Sequence, residues 1–199
     1  MRGREALSGG STRGARGAGA EPSGAGGCGF ESSRERTPPS MNEQTARDEG
    51  YMREALSLAD EAAALGEVPV GAVAVVGERV VGRGFNRREV DRDPFSHAEL
   101  VAMQQAARAV GAWRLTDVTV YVTLEPCAMC AGAMVQARVG RLVFGAVDPK
   151  AGAVGSLYDL AREARHNHQV DVTAGVLADE CSARLKQFFQ ALRARNKAK

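Results

Sequence analysis

The sequence predicts a three-layer α/β protein, in which a mixed sheet of about five strands carries helices on both faces. Two apolar, β-branched runs separated by a glycine turn indicate an opening hairpin. After this hairpin, strand-like and helix-like segments alternate to the end of the chain, which is typical of sheets with parallel strands. The hydrophobic content of 44% is enough for one sizeable core.

The first 40 residues differ from the rest in composition. Glycine pairs and Pro38-Pro39 occur there, and large apolar residues are almost absent, so this segment cannot bury a core. No apolar segment follows its early arginines, as a secretory signal would require. We predict a disordered, low-complexity tail over 1–40 and one folded domain over 41–199. Met41 is a candidate for the true start of the protein, and the tail would then come from an over-extended gene model.

The first elements follow from residue spacing and from turn residues. Apolar residues in 43–65 recur every three or four positions, as on one face of a helix, and Gly66 is its predicted stop. Residues 68–76 form a continuous apolar run that is typical of a buried strand. Gly77-Glu78 then turns the chain into a second strand through Val81.

The later elements alternate between helical and extended patterns. Helices are predicted where apolar residues recur at helical spacing, and strands where short β-branched apolar runs occur. In chain order they are a polar loop over 85–95, a helix from His97 to about Val110, a strand over 118–124, a helix from Cys127 to about Ala137, a strand over 141–147, a short helix near 157–164, a strand over 170–173 and a closing helix over 177–195.

The residues that carry chemistry lie in two short motifs. A His-x-Glu pair, His97 and Glu99, is followed later by a Cys-x-x-Cys pair, Cys127 and Cys130, directly after Pro126. One imidazole and two thiolates suit zinc in a tetrahedral site, and three protein ligands leave the fourth position to water, as in catalytic zinc sites. We therefore predict one Zn²⁺ per chain, bound by His97, Cys127 and Cys130. A buried cysteine pair without metal is the alternative.

Predicted helix starts bring these ligands together. Pro126 is predicted as a first helical residue, where its missing N–H costs nothing, so Cys127 and Cys130 lie on one face of the first turn. The positive end of the helix dipole should lower the pKa of both thiols. His97 precedes another predicted helix, so two helix starts can converge on one ion.

Glu99 is the predicted proton carrier. Because it lies two residues after His97, it points to another side of the turn and need not bind the metal. Its carboxylate can take a proton from activated water and return it to the substrate nitrogen and the leaving amine. Alternatively, Glu99 is only a solvated acid that favours the dipole of its helix. Together, the two motifs match the known signature of zinc deaminases, so the domain over 41–199 is predicted to be a zinc-dependent deaminase domain.

Beyond this signature, the sequence resembles the bacterial tRNA-specific adenosine deaminases, which convert the wobble adenosine of a tRNA anticodon to inosine. The zinc motif alone marks only the wider cytidine-deaminase-like superfamily, and the other matching segments narrow the resemblance. Together they span about residues 43 to 195. The matching segments are 68–73, 86–87, 97–99, 121–134, 144–146, 152–157 and 177–181.

The resemblance implies a cytidine-deaminase-like fold, a homodimer and a tRNA anticodon loop as substrate, with its base flipped into the zinc pocket. It implies roles for individual residues as well. These are His97, Cys127 and Cys130 as zinc ligands, Glu99 as the proton carrier, Asn86 as the residue that holds the purine, and Asp148 at the mouth of the pocket near the sugar.

Other polar residues have simpler interpretations. Asn86 could be a turn residue, and Asp148 before Pro149 could be ordinary turn chemistry. His166 and His168 lie in a polar segment and are predicted to face solvent rather than a metal.

The C-terminal helix is the predicted RNA contact. The net charge of +2 means that RNA binding must come from local patches rather than from the whole surface. Phe188 falls on an apolar stripe that starts at Cys181, and both are predicted to be core; Phe189 lies at the edge of that stripe and is predicted to stack on a base. Alternatively, Phe189 widens the buried face. Unopposed basic residues follow: Arg193, Arg195, Lys197 and Lys199.

Two other functions stay open from the sequence. A deaminase of another base, guanine or a cytosine nucleoside, would turn over small substrates without RNA. A zinc-dependent RNA-binding module would need neither Glu99 nor an open metal position. The four cysteines form no disulfide framework and indicate a reducing compartment. The protein is therefore predicted to be cytoplasmic. No apolar stretch reaches about eighteen residues, so we predict that nothing spans a membrane.

Overall fold

The computed structural model describes residues 40–198. The predicted disordered tail and the question of a start at Met41 therefore lie, apart from Ser40, outside the described residues. Helices and strands follow the predicted alternation. In chain order they are α1 (Met41–Ala64), β1 (Gly71–Val76), β2 (Arg79–Phe85), α2 (Arg88–Asp91), α3 (Ala98–Val110), β3 (Val118–Leu124), α4 (Ala128–Ala137), β4 (Arg141–Ala146), β5 (Asp171–Ala174) and α5 (Ala178–Lys197).

The five strands form one mixed sheet in the order β2-β1-β3-β4-β5. β1 runs antiparallel to both of its neighbours, whereas β3, β4 and β5 are parallel. Because side chains alternate along a strand, Val73 and Tyr121 pack under α1 and α5, while Ala72 and Val120 pack on the other face, under α3 and α4. The predicted three-layer α/β/α fold with a mixed sheet is confirmed.

Two glycines of β2 let α3 approach the sheet closely. A Cβ atom at Gly82 would meet the carbonyl oxygen of Ala102, and one at Gly84 would meet the carbonyl oxygen of Ala98. The helix side of this contact also consists of small residues, and Ala98 and Ala102 are fully buried. The contact fixes α3 against β2 and with it the start of α3, where His97 lies.

The ends of α1 are set by local hydrogen bonds. Ser40 and Glu43 form a capping box at its start. At its end, Gly66 takes a left-handed conformation with φ of 83°, as predicted from its position. The N–H of Gly66 donates to the carbonyl of Ala63, and the N–H of Glu67 donates to the carbonyl of Ala62, each at 3.0 Å. This arrangement turns the chain sharply and directs Glu67 back into the protein.

Several predicted boundaries differ from the structure. The strand predicted to start at residue 68 begins only at Gly71, since Pro69 has no N–H and Val70 donates its N–H to Val68 at 2.8 Å, which bends the chain. The loop predicted over 85–95 contains the short helix α2. The helix predicted near 157–164 is wrong, because Asp159 forms a β-bridge with Val154 there instead.

The apolar stripe of α5 is less buried than predicted. Cys181 is buried, as expected, but it is the only buried residue of this helix. Phe188 is half-buried and lines an open groove of about 680 Å³ between α1 and α5, so its assignment to the core is wrong. Helical spacing identifies a common face but not how far the rest of the protein covers it. Over residues 40–198, no helix combines the length and the apolar composition needed to cross a membrane.

A buried ion pair ties α1 to the sheet. Asp48 accepts hydrogen bonds from the Tyr121 hydroxyl at 2.9 Å and from two Arg141 nitrogens at 2.9 and 2.7 Å. Burial alone would raise the pKa of the Asp48 carboxyl, but the hydrogen bonds from Arg141 and Tyr121 outweigh it and lower the pKa. The ionised form of Asp48 is therefore the one that stabilises the fold.

Asp48→Ala should lower the free energy of unfolding by about 3–5 kcal/mol, because it leaves the Arg141 charge without its buried partner. Since folding lowers the pKa of Asp48, the ion pair stabilises fully above the unfolded pKa of about 4, and its contribution is lost as the pH falls through the folded value. Urea unfolding at neutral and acid pH measures both effects. Asp60→Ala, which removes an exposed partner of Arg184, is the control and should cost less than about 1 kcal/mol. Equal losses in the two variants would contradict the assignment.

Candidate active site

Two helix starts bring the predicted metal ligands together. His97 is the N-terminal cap of α3, Cys127 is the N-terminal cap of α4, and Cys130 lies in the first turn of α4. Nδ1 of His97 lies 3.7 Å from Sγ of Cys127 and 3.5 Å from Sγ of Cys130. The candidate ligand atoms of all three residues lie within 4.8 Å of one another. Pro126 precedes the cap instead of occupying the first helical position, which corrects its predicted place.

The electrostatics of this cluster suit a cation. Hydrogen bonding to Cys130, helped by His97, lowers the pKa of the Cys127 thiol to about 3. The hydrogen bond between His97 and Cys127 raises the pKa of His97. Hydrogen bonding to Cys127, together with burial, raises the pKa of the Cys130 thiol. The surroundings thus favour one thiolate, and a positive charge would favour the second as well. Two sulfurs and an imidazole facing one point fit a metal of zinc-like preference.

Glu99 is buried in the first turn of α3, with 4% of its surface exposed. It lies outside the three-residue metal cluster found in residues 40–198. Burial raises the pKa of its carboxyl group. Its surroundings exclude the solvated first-turn acid that was the alternative interpretation, because a solvated acid is exposed.

A cavity of about 210 Å³ opens beside the metal cluster. It lies where β3 and β4 end and where the chain enters β1, at the edge of the sheet where open α/β folds place their sites. Most of the sequence-predicted site residues meet in its wall. The polar residues that line it are Asn86, His97, Glu99, Glu125, Cys127 and Asp148, together with Arg88.

Asp148 lies in the cavity wall and also forms the turn that was its alternative interpretation. It lines the cavity and is half-buried. Its Oδ1 also accepts from the backbone N–H of Lys150 at 2.9 Å and of Ala151 at 3.2 Å, as in a turn stabilised by an aspartate side chain. This turn shapes the rim of the cavity.

Glu125 is a site residue to which the sequence assigned no role. Its buried carboxylate accepts from the backbone N–H groups of Asp148 at 2.9 Å, Val154 at 3.1 Å and Ser156 at 3.0 Å, and from the Ser156 hydroxyl. Burial alone would raise the pKa of Glu125, but these hydrogen bonds lower it. Glu125 thereby fixes the segment over 148–156 at the rim. The only signal in the sequence was an acid directly before the zinc motif.

The remaining predicted polar residues lie elsewhere. His166 and His168 are half-buried rather than solvent-facing, which corrects that prediction. Nδ1 of His166 lies 3.1 Å from the carbonyl oxygen of Leu160, and Nε2 of His168 lies 2.8 Å from that of Val139. Both histidines therefore stabilise the backbone of their loop.

Phe189 lies on α5, outside the cavity wall. It is 40% exposed, and its ring meets that of Phe188 edge to face at 5.5 Å between centroids. Arg193, Arg195 and Lys197 are exposed on the same helix. Lys199 lies outside the described residues.

Comparisons with known proteins agree with this geometry. The family model of the MafB19-like deaminases matches residues 46–193. The tRNA-specific adenosine deaminase of Bacillus subtilis (strain 168) is 49% identical over 152 residues, which cover 76% of this chain and 94% of that protein. The protein of the same name from Haemophilus influenzae (strain ATCC 51907 / DSM 11121 / KW20 / Rd) is 51% identical over 151 residues, 75% of this chain and 87% of that protein.

A solved structure shares the fold as well. It comes from biochemical and structural studies of A-to-I editing by tRNA:A34 deaminases at the wobble position of transfer RNA. Its sequence is 41% identical, the TM-score is 0.66, and the match covers 68% of this chain and 99% of that chain.

Proposed function

Because the chain belongs to the family of tRNA-specific adenosine deaminases, we propose that it hydrolyses the wobble adenosine of a tRNA anticodon loop to inosine and ammonia. One observation carries this function. The buried carboxylate of Glu99 lines the same cavity as His97 and Cys127, two of the three residues of the metal cluster. Hydrolytic deamination needs both an activated water and a group that moves protons, and this arrangement supplies a place for each.

We propose zinc as the metal, with one ion per chain held by His97, Cys127 and Cys130. The donor set suits zinc, and three protein ligands leave one position for the reaction. When bound, zinc supplies a Lewis acid that lowers the pKa of water. The protein prepares the site through Cys127, because hydrogen bonding to Cys130 and His97 lowers the pKa of its thiol. A metal and a proton compete for the His97 ring, so its raised pKa should weaken loading as the pH falls.

Glu99 moves the protons in this proposal. Its carboxylate takes a proton from the attacking water and delivers it to the ring nitrogen, so that the carbon bearing the amine becomes tetrahedral. It then takes the proton of the hydroxyl group that the water has formed on this carbon and gives it to the amine. The carbon–nitrogen bond breaks, ammonia leaves, and the carbonyl group that remains makes the product inosine. The buried position suits both halves, since burial raises the pKa of Glu99 toward the range in which a carboxyl group both accepts and releases protons.

Asn86 and Asp148 are the proposed substrate contacts. Both line the cavity, and a base flipped out of an RNA loop would meet Asn86 inside it and Asp148 at its rim. The homodimer implied by the family resemblance and the cytoplasmic location predicted from the cysteines belong to the same proposal. Light scattering of the pure protein measures the number of chains.

A single panel of substrates tests the function. The pure protein is offered tRNA, free adenosine, cytidine and guanine, and ammonia and inosine are measured. We expect inosine at the wobble position of tRNA. Turnover of guanine or a cytosine nucleoside without RNA would instead identify a deaminase of another base. RNA binding without ammonia from any substrate would identify a zinc-dependent RNA-binding module.

Phe189→Ala should weaken binding of anticodon-loop RNA by about 1–3 kcal/mol, the usual contribution of one stacked base. The reason is that Phe189 is an exposed ring followed by exposed cations on α5. Fluorescence anisotropy with a labelled stem-loop measures the affinity. Zinc content and the number of chains should not change.

Trp113→Ala is the matched control for this experiment. Trp113 is also an exposed aromatic residue, with an Arg114 guanidinium over its ring. It follows the C-terminal end of α3, a helix of 13 residues and so about 20 Å long, whose opposite end lies at the cavity. RNA affinity equal in Phe189→Ala and the parent, or loss of the dimer, would assign Phe189 to packing.

A further inference from the structure

A third buried carboxylate at the site, Glu67, lies behind the cavity wall and contacts Asn86. The turn after α1 directs it inward, and only 2% of its surface is exposed. Its Oε2 accepts from Nδ2 of Asn86 at 3.0 Å. Its Oε1 accepts from the backbone N–H groups of Glu89 and Val90, each at 2.8 Å. One side chain thus holds both the side chain of Asn86 and the first turn of α2.

This contact determines how Asn86 is oriented. A carboxylate only accepts hydrogen bonds, so the amide of Asn86 must turn its NH₂ group toward Glu67. The same NH₂ group lies 3.4 Å from the carbonyl oxygen of Val68. Both donors of Asn86 are therefore occupied by acceptors of the protein itself.

The other end of the amide is left for the cavity. Among the described residues, no hydrogen bond is made to Oδ1 of Asn86, and no side-chain nitrogen or oxygen in this part of the chain is both fully buried and unpartnered. Because Asn86 lines the cavity and its NH₂ group is occupied, Oδ1 is the atom of the amide that can still form a hydrogen bond with a substrate.

We propose that Glu67 is a positioning residue, which fixes the amide of Asn86 so that it offers the substrate a hydrogen-bond acceptor and not a donor. The matching group on the substrate is a hydroxyl or amino hydrogen of the nucleoside. This inference rests on the proposed function only in naming a nucleoside as the substrate. The orientation of the amide itself is independent of catalysis.

Glu67→Gln separates this role from packing. The new side chain has nearly the same shape, but only one of its ends accepts hydrogen bonds. The N–H groups of Glu89 and Val90 need that acceptor, so its NH₂ group faces Asn86. The amide of Asn86 then reverses and presents its own NH₂ group to the cavity. We expect kcat/KM for wobble adenosine to fall roughly tenfold to a hundredfold, as when a buried polar group loses its partner.

A second substitution should restore activity. Asn86→Asp, added to Glu67→Gln, exchanges the acid and the amide between the two positions. The amide at position 67 then donates to the carboxylate at position 86, whose other oxygen faces the cavity as an acceptor. We expect the double variant to be at least several-fold more active than either single variant, because the single Asn86→Asp change places two carboxylates in contact.

Hydrogen exchange of the Asn86 side-chain amide, followed by NMR on ¹⁵N-labelled protein, reads the orientation without any reaction. We expect slow exchange in the parent and at least tenfold faster exchange in Glu67→Gln, because the NH₂ group moves from buried acceptors to the open cavity. Asp48→Asn is the control, since Asp48 is an equally buried carboxylate that lies outside the cavity wall. It should lower stability but change neither the exchange of Asn86 nor kcat/KM.

The outcomes separate this inference from the proposed function. If the parent makes no inosine but exchange responds as expected, the function fails and the positioning role stands. If Glu67→Gln leaves the exchange of Asn86 unchanged, the positioning role is overturned, whatever happens to activity. Loss of activity in Glu67→Gln that the double variant does not restore would also overturn the positioning role. The loss would then reflect a general effect on folding, because restoring the acid–amide pair would not correct it.

Discussion

Glu99→Gln should lower the rate of adenosine deamination in tRNA by about a hundred- to ten-thousand-fold, the usual contribution of general acid–base catalysis. The amide keeps the shape of the buried side chain but can neither accept nor release a proton at neutral pH. Glu99 is outside the metal cluster, so zinc content and RNA affinity should stay at the level of the parent. Single-turnover measurement of inosine at saturating enzyme isolates the chemical step from binding.

The control for this experiment is Glu61→Gln. Glu61 is an exposed acid on α1, and its change to an amide should leave the rate unaltered. If Glu99→Gln keeps activity within a few-fold of the parent, another group must move the protons. A joint loss of zinc and activity would show instead that Glu99 supports the metal ligands.

Cys127→Ala should lose zinc and activity together. It removes the ligand whose thiol pKa the protein lowers, and only His97 and Cys130 remain to hold the ion. Two protein ligands are fewer than catalytic zinc sites use, so we expect most of the metal to be absent after purification and inosine formation to fall to background. Elemental analysis of zinc per chain and the tRNA assay measure the two quantities on one sample.

Cys181→Ala is the matched control. Cys181 is also a buried cysteine, but it lies on the face of α5 that packs against the sheet. Burial raises the pKa of its thiol to about 11. Its removal should reduce stability through a small cavity and leave zinc unchanged. A Cys127→Ala protein that retains a full complement of zinc would refute the ligand assignment. If the Cys127→Ala protein stayed active without zinc, the metal would not be needed for the reaction.

The predictable parts of the protein are those with a local pattern. The β-branched run over Val118–Leu124 predicts β3 to the residue, and the two helix starts at His97 and Cys127 follow from the spacing of the motifs. Asn86 and Asp148 were assigned through the family resemblance, and both line the cavity. Their roles toward a substrate stay predictions.

The parts that escaped prediction depend on distant partners. The backbone N–H groups that donate to Glu125 lie 23 to 31 residues away from it in the sequence, and Asn86 lies 19 residues from Glu67. No local sequence pattern therefore reveals the role of Glu125 or of Glu67. The segment predicted as a helix near 157–164 folds around a bridge to Val154 instead. Phe188 was predicted wrongly for a similar reason. Helical spacing places it on the apolar face of α5, but spacing does not show which parts of the protein cover that face.

The close contact between β2 and α3 has a consequence for engineering this enzyme. Gly82 and Gly84 hold the helix that carries His97 and Glu99, yet both lie outside the cavity wall. A methyl group at either position would push a rigid helix away from the sheet and displace the reactive groups as a unit. Libraries that seek new base preferences should therefore diversify the cavity wall and keep these two positions invariant, because variants there would lose activity toward every substrate alike.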